Sequence, residues 1–236
     1  MTSTMESELQ SSTSLAFSTP ELLEQILLCL LDDLLPPTDR EDPRSVRTHA
    51  RAAKLTHLLR CSEVCQTWLQ CILGSKPIQR ALFLLPNDRT QRSWRQASST
   101  AQVALYYSQP SSTAPLLNTV VQTTFAPYHF RYWHLSYHCA YLIITKRDLP
   151  ALSSRSRTGQ GRTISRMLLS QPPCTTLEAT IWEEKDESKE YVGRTSELRE
   201  PIVRCEEGLT VGMVHERVAE MFAEHPDVAA IKLTTV

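Results

Sequence analysis

Cysteines and histidines are the side chains in this 236-residue sequence that are best able to bind a metal or act as nucleophiles. His57, Cys61 and Cys65 follow one another at intervals of four residues, so a helix would place them on one face, with Cys71 nearby. A closed zinc site needs four well-placed ligands, and the usual C-x-x-C pair occurs nowhere in the sequence. We therefore predict buried, reduced thiols in a helical core, with no metal ion and no other cofactor.

A second pair, His134 and His138, has the spacing of a zinc-binding helix, but HLSYH lacks the glutamate of H-E-x-x-H. Residues 131–144 alternate along the chain, which predicts one long strand instead. Four residues along a strand span about 13 Å, too far to share one metal ion. A cysteine nucleophile with a histidine partner stays open, because such partners meet only in the fold; the sequence singles out no residue for that role.

Positive charges form two local groups. The first would be a basic stripe on a helix, because its members recur at steps of four and three: Arg40, Arg44, Arg47, Arg51 and Lys54. The second is a basic Ser/Gly segment over 153–163. Either could meet an acidic protein or nucleic acid, but a solvated helix face and a plain loop are simpler interpretations. Since the formal net charge is only −1, we do not expect nucleic acid as a partner.

Composition argues against several function classes. Glycine occurs only 6 times, and neither G-x-x-x-x-G-K-[ST] nor G-x-G-x-x-G is present, which argues against a phosphate-binding loop. No run of eighteen apolar residues exists, so we expect no membrane span. The first fifteen residues resemble no secretory or mitochondrial leader, and the 7 cysteines are an odd number. These features indicate reduced thiols and a cytoplasmic and/or nuclear protein.

The elements that would position these residues begin with a helix over 20–31. Residues 1–16 are polar and predicted to be disordered. Pro20 suits the first position of a helix and makes Thr19 its natural N-cap. One broad apolar stripe follows, formed by Leu22, Leu23, Ile26, Leu27 and Leu30. Prolines and charges interrupt the pattern after residue 32, and helical spacing then resumes over roughly 45–73 and ends at Gly74.

The second half predicts an α+β domain over 87–236, with strands only after residue 100. VALYY would be a short strand or helix, and ISRMLLSQ a short helix. Strands are predicted at LEATIW, PIVRC and AAIKLTTV. Thr210 can cap a helix with one apolar stripe, formed by Val211, Val214, Val218, Met221 and Phe222.

Three pieces of the sequence, in this order, resemble the F-box, and more narrowly the F-box-like proteins of filamentous fungi. The first is T-P-E-L-L-E-x-I-L, matched here by Pro20, Glu21, Leu22, Leu23, Ile26 and Leu27. The second is L-L-x-x-x-x-V-C-x-x-W, matched by Leu58, Leu59, Val64, Cys65 and Trp68. The third is x-Q-x-A-L-F-L, matched by Gln79, Ala81, Leu82, Phe83 and Leu84. LLNTVVQTTF, SRMLLSQPPCTTLE and GLTVGMV are also similar to that group.

The resemblance implies a small helical module over 17–85, whose apolar face docks a Skp-type adaptor and so joins a cullin ubiquitin ligase. This chain would be a non-catalytic substrate receptor, and the domain over 87–236 would bind an unknown protein substrate or stabilise the module. The implied partner-binding residues are Pro20, Leu22, Leu23, Ile26, Leu27, Leu58, Leu59, Val64 and Trp68. We expect some of the first five to be under-buried and Trp68 to be a more buried core anchor.

The sequence departs from the general F-box pattern in two places. Its proline lies one residue closer to the glutamate, and an insertion at 32–54 replaces a short loop between two helices. The insertion would be a longer loop or an extension of the second helix, and it could disturb docking. Two alternatives therefore stay open: an F-box-like interaction or structural protein that does not bind the ligase, and an enzyme or nucleic-acid binder that uses the C-terminal domain.

Overall fold

The computed structural model of the chain describes residues 19–32, 46–87, 94, 115–124, 130–133, 136–147, 149, 159–183 and 196–235. The predicted disordered tail at 1–16 and the VALYY segment lie outside these residues. The described elements comprise helices and antiparallel strands, so the predicted α+β class is confirmed. Every strand in the described ranges lies after residue 115, also as predicted.

Four helices come first in the described part of the chain: α1 (Pro20–Asp32), α2 (Val46–Cys61), α3 (Gln66–Gly74) and α4 (Lys76–Ala81). Helix α1 begins and ends close to its predicted bounds, and α3 ends at Gly74 as predicted. The part of the insertion over 46–54 extends the second helix, and Ala52 within it is buried. Residues 33–45, which include Arg40 and Arg44 of the predicted basic stripe, lie outside the described residues.

The helical run predicted over 45–73 is wrong in one respect, because it breaks into α2 and α3. Ser62 and Glu63 donate their N–H groups to carbonyls three residues back, at 3.2 and 2.9 Å, which tightens the last turn of α2. The Ser62 hydroxyl also donates to the Leu59 carbonyl at 2.5 Å. Cys65 is then extended, with φ −162° and ψ 172°. Local hydrogen bonding at serine thus outweighs the apolar periodicity.

Five strands form one antiparallel sheet in the order β2-β3-β7-β5-β6. Their bounds are β2 (Phe130–Trp133), β3 (Ser136–Thr145), β5 (Thr176–Glu183), β6 (Ser196–Arg204) and β7 (Val228–Thr235). A separate pair joins β1 (Leu116–Leu117) to β4 (Ser170–Gln171). The other helices within the described residues are α5 (Thr119–Thr124), α6 (Gly159–Ser165) and α7 (Val211–Glu224). The strand near the C-terminus, β7, therefore lies at the centre of the sheet.

Two predictions in the second half are corrected by this topology. Residues 131–144 form not one long strand but the antiparallel pair β2 and β3; His134 and the side chain of His138 lie outside the described residues. ISRMLLSQ is helical only to Ser165, where α6 ends. The segment after it is extended, because Leu168 bridges to Thr210 and Gln171 pairs with Leu116.

One hydrophobic cluster runs from α1 to β7. The predicted stripe of α7 lies wholly in it, and the Thr210 hydroxyl accepts a hydrogen bond from the Met213 N–H at 3.4 Å, capping the helix as predicted. On the sheet, Leu142 and Leu233 face each other across β3 and β7, at 4% and 0% exposure. The predicted boundary near residue 86 therefore crosses a continuous core, and the division into domains stays a prediction.

The two faces of β7 should respond differently to truncation. Leu233→Ala removes a fully buried side chain and should lower the free energy of unfolding by about 2–5 kcal/mol. Thr234→Ala, on the opposite and partly exposed face, should cost under about 1 kcal/mol. Urea unfolding of both variants measures this. Equal losses would show that the register of the sheet has been assigned to the wrong face.

Candidate docking surface

Adjacent leucines of α1 differ in exposure, because successive residues lie about 100° apart around the helix axis. Leu23 and Leu27 are fully buried, at 0% exposure. Leu22, Ile26 and Leu30 are 51%, 38% and 42% exposed. Their four-residue spacing places these three on one side of the helix, because α-helical side chains four apart lie above one another. We call Leu22, Ile26 and Leu30 the α1 stripe.

Of the described side chains of α1, four others are exposed: Pro20, Glu21, Gln25 and Cys29. Glu21 and Gln25 are exposed and lie beside the α1 stripe on one side. Cys29, also exposed, stands three residues after Ile26 and seven after Leu22, so it adjoins the stripe. Single exposed leucines are ordinary on a protein surface, whereas three large aliphatic side chains in one line form a patch that favours a partner.

Helices α3 and α4 hold α1 in this orientation. Both pack against it, and Ile72 of α3 and Ile78 of α4 are buried in the same cluster as Leu23. The Cys71 thiol donates to the Pro20 carbonyl at 3.7 Å, which ties α3 to the start of α1. The first turn of α1 is closed by the Leu23 N–H, which donates to the Thr19 carbonyl at 3.0 Å. The helix therefore presents its stripe on a fixed support.

The structure divides eight of the nine predicted partner-binding residues into two sets, and the ninth, Trp68, is intermediate in exposure. Exposed side chains belong to Pro20, Leu22, Ile26 and Val64, of which Val64 is 63% exposed. Buried side chains belong to Leu23, Leu27, Leu58 and Leu59, so these four pack in the core and cannot touch a partner in this conformation. The partner-binding role of the exposed set stays a prediction.

Trp68 was expected to be a core anchor, but it is only half-buried and packs against the edge of the cluster. Ile72, one helical turn later, takes the central place at 2% exposure. Two exposed aliphatic residues, Leu30 and Leu73, were missing from the predicted set. Leu30 could have been included on its four-residue spacing from Ile26, whereas nothing in the local pattern separates Leu73 from a core residue.

The thiols do not assemble into a metal site in the described part of the chain, where no group of three potential ligands is found. Cys61 is buried, as predicted, whereas His57 is exposed on α2. Cys65 is exposed as well, because α2 ends at Cys61 and Cys65 no longer lies on its face. Burial raises the pKa of the Cys61 thiol, and burial together with Glu24 raises the pKa of Cys71. Protonated thiols are weak nucleophiles, so neither cysteine favours the enzyme alternative.

A small apolar cavity of about 10 Å³, room for roughly one water molecule, lies between α7, α5 and the sheet. Its lining residues are Val121, Leu142, Ile144, Leu169, Val211, Val214 and His215. Ligand pockets span roughly 300–1,000 Å³ and offer several convergent polar groups. Here only His215 is titratable, so the cavity does not favour a substrate site.

None of the described helices is long and apolar enough to cross a membrane.

The outward side of α1 is thus the described feature best suited to binding a partner. It joins three exposed aliphatic side chains, a supporting core behind them and a polar border. Comparisons with protein families, curated proteins and solved structures found no match. The candidate docking surface is therefore defined by this chain's own residues: the α1 stripe, with Pro20 at the start of the helix.

Truncating neighbouring leucines of α1 should separate the two sides of the helix. Leu23→Ala leaves a cavity in the core and should lower the free energy of unfolding by about 2–5 kcal/mol. Leu22→Ala, at a half-exposed position, should change it by under about 1 kcal/mol. Guanidinium unfolding curves give both values. A large loss for Leu22→Ala would place that leucine in an internal core and remove it from the docking surface.

The His215 side chain should make stability pH-dependent. Its Nε2 atom is buried without a hydrogen-bond partner in the described residues, and burial lowers its pKa, opposed by Glu216. The unfolded chain therefore takes up a proton near the ordinary pKa of about 6.5, while the folded chain takes it up only at lower pH. The contribution of neutral His215 to the free energy of unfolding is therefore fully present above a pH of about 6.5. It is lost as the pH falls from there toward the lower pKa that His215 has in the folded chain. His215→Leu should flatten this loss in melting curves recorded from pH 7.5 to 5; an unchanged slope would contradict it.

Proposed function

We propose that this chain is a non-catalytic, F-box-like substrate receptor of a cullin ubiquitin ligase, which docks a Skp-type adaptor through α1. The observation that carries the proposal is the α1 stripe, whose side chains are 38–51% exposed. It lies on the same helix as the T-P-E-L-L-E-x-I-L pattern. The catalytic steps of ubiquitin transfer would belong to other subunits, so this chain needs no active site of its own.

In this proposal, neighbouring apolar residues of the T-P-E-L-L-E-x-I-L pattern have different roles. Leu23 and Leu27 fix α1 to the core, while Leu22 and Ile26 point outward one residue earlier. An amphipathic helix with anchors at four-residue spacing is suited to a hydrophobic groove on a partner. The buried leucines would therefore support docking without touching the adaptor.

The size of the α1 stripe sets what it can contribute. Full burial of one large aliphatic side chain stabilises by roughly 1.5–3 kcal/mol, and these three side chains are about half exposed, so covering them contributes about 2–4 kcal/mol. Association costs more than that, so the stripe would be the centre of a larger interface. Leu73 and Val64, at 43% and 63% exposure, are further apolar residues available to it.

The described part of the insertion supports the proposal. Residues 46–54 belong to α2, which packs against α5 in the C-terminal region. Ala52 is buried there at 3% exposure. This part of the insertion is therefore used for internal packing, on a helix that has its own contacts, and it does not cover the α1 stripe, whose residues stay exposed.

The C-terminal region would carry the substrate-binding role. Its sheet and α7 share the core with α1–α4, so a substrate bound there would be held near the docking helix. The substrate itself would be an intracellular protein, in line with the reduced thiols expected of a cytoplasmic and/or nuclear chain. Six described cysteines are reduced thiols: Cys29, Cys61, Cys65, Cys71, Cys174 and Cys205.

The test is the affinity of the purified full chain for a Skp-type adaptor, measured by calorimetry. Leu22→Ala with Ile26→Ala should weaken binding about ten- to a hundredfold, because both truncations remove partner-facing area. The matched control is Glu216→Ala with Glu220→Ala, two exposed polar positions with the same four-residue spacing on α7, and it should bind within about threefold of the parent chain.

Each outcome separates two accounts of the chain. Equal affinities for the two double variants would move the interface away from the α1 stripe. A parent chain that folds but does not bind the adaptor would contradict the ligase role. It would favour an F-box-like interaction protein that kept the helices and lost the partner.

A further inference from the structure

Three hydrogen bonds join the end of the helical module to Leu168 and Gln171, at and just before β4 in the C-terminal region. The Leu168 N–H donates to the Phe83 carbonyl at 2.7 Å. The side-chain amide of Gln171 donates to the Arg80 carbonyl at 2.5 Å and to the Leu85 carbonyl at 3.2 Å. We call these three bonds the polar seam.

Gln171 is suited to this place by chemistry as well as shape. Its side chain is part of a residue that is only 3% exposed, so an unbonded amide there would destabilise the fold. Both of its neighbours are carbonyl oxygens, which accept only, and a glutamine NH₂ supplies two donors on one nitrogen. The chain after α4 turns sharply at Phe83, with φ +59°, which brings these carbonyls to face Gln171.

The C-terminal side of the polar seam is itself firmly held. Gln171 and Ser170 pair with β1. Leu169 donates its N–H to the Leu209 carbonyl at 3.1 Å, and Val211 donates to the Met167 carbonyl at 2.9 Å, which ties the segment to the start of α7. Since β1 and α7 hold β4 in place, a displacement of α4 would have to break the three hydrogen bonds of the polar seam.

Asn118 provides a second buried anchor beside the polar seam. It is fully buried, and its amide donates to the Leu168 carbonyl at 2.9 Å. Its side-chain oxygen accepts from the Val120 N–H at 3.0 Å, at the start of α5. Helix α5 packs against α2, so the contact returns to the helical module by a second route.

We infer that α1–α4 and the C-terminal sheet are one cooperative unit, in which Gln171 is the positioning residue that fixes the helical module to the sheet. The inference rests on the continuous core and the polar seam and does not depend on what α1 binds. It has a consequence for binding in general: a ligand on either part stabilises both, and two partners on the two parts are held at one relative orientation.

The first experiment uses native-state hydrogen exchange of the full chain, comparing the most protected amides of α3 with those of α7. Val218→Ala on α7 removes part of a side chain with 0% exposure. In one cooperative unit it should speed exchange at α3 and α7 by the same factor, about tenfold or more. Faster exchange at α7 with an unchanged rate at α3 would overturn the inference.

The second experiment isolates Gln171. Gln171→Glu keeps the shape of the side chain and replaces its donor with a carboxylate that faces two carbonyls. Exchange at both α3 and α7 should rise about tenfold or more, because two buried carbonyls lose their donor and a charge is buried. The matched control is Gln70→Glu on α3, the same change at an exposed glutamine, which should alter exchange by less than about threefold.

The outcomes of the second experiment are also distinct. A rate change below twofold for Gln171→Glu would remove the positioning role from this residue. Faster exchange in α3 alone would show that the helical module opens by itself and would overturn the single unit. If Gln171→Glu does not fold at all, Gln171→Leu with the same readout replaces it, since it deletes the donor without adding a charge.

Discussion

The packing of Leu23 and Leu27 in the core determines the orientation of α1, and the other features of the candidate docking surface follow from it. Those two side chains fix the rotation of α1 about its own axis, and the helical period then leaves Leu22, Ile26 and Leu30 outside. No other rotation of α1 would bury both leucines and keep the polar side, with Glu21 and Gln25, in water. The position of the candidate docking surface is therefore a consequence of core packing.

That core is shared by the whole described chain, and the position of β7 explains why. This strand, near the C-terminus, pairs with β3 on one side and β5 on the other. The sheet is thus completed only by the end of the sequence, and α7 directly before β7 supplies the stripe that covers it. Contacts of such high sequence separation favour folding as a whole over folding module by module.

The sequence pattern predicted those elements in which the spacing of apolar residues agrees with the face that the fold buries. Helix α1 follows from Pro20 and its leucine spacing, and α7 from Thr210 and its five-residue stripe; both agree with the structure. The α+β class and the late strands follow from the same kind of pattern. The inward and outward sides of α1 could not be assigned from sequence. The predicted apolar stripe of five residues is broader than the side of the helix that the core covers.

The failures have identifiable physical causes. The break after Cys61 is made by Ser62, whose hydroxyl bonds to the backbone, and it moves Cys65 away from the face of Cys61. The extended segment at Leu168–Gln171 is selected by partners far away in the sequence, such as Phe83, which no local window contains. Trp68 lies at the edge of the core because Ile72 occupies its centre. The first error comes from a local hydrogen bond, and the other two come from tertiary packing.

The proposed docking of a Skp-type adaptor on the α1 stripe can be tested through the alkylation rate of Cys29. The rate is measured in the full chain, with and without a saturating adaptor. Cys29 is an exposed thiol that adjoins Leu22 and Ile26, so a partner seated on the α1 stripe should cover it. We predict that the adaptor slows labelling of Cys29 by at least about tenfold while Cys205, at the end of β6, reacts at its original rate. Labelling of Cys29 at an unchanged rate in a complex that has formed would contradict docking through α1.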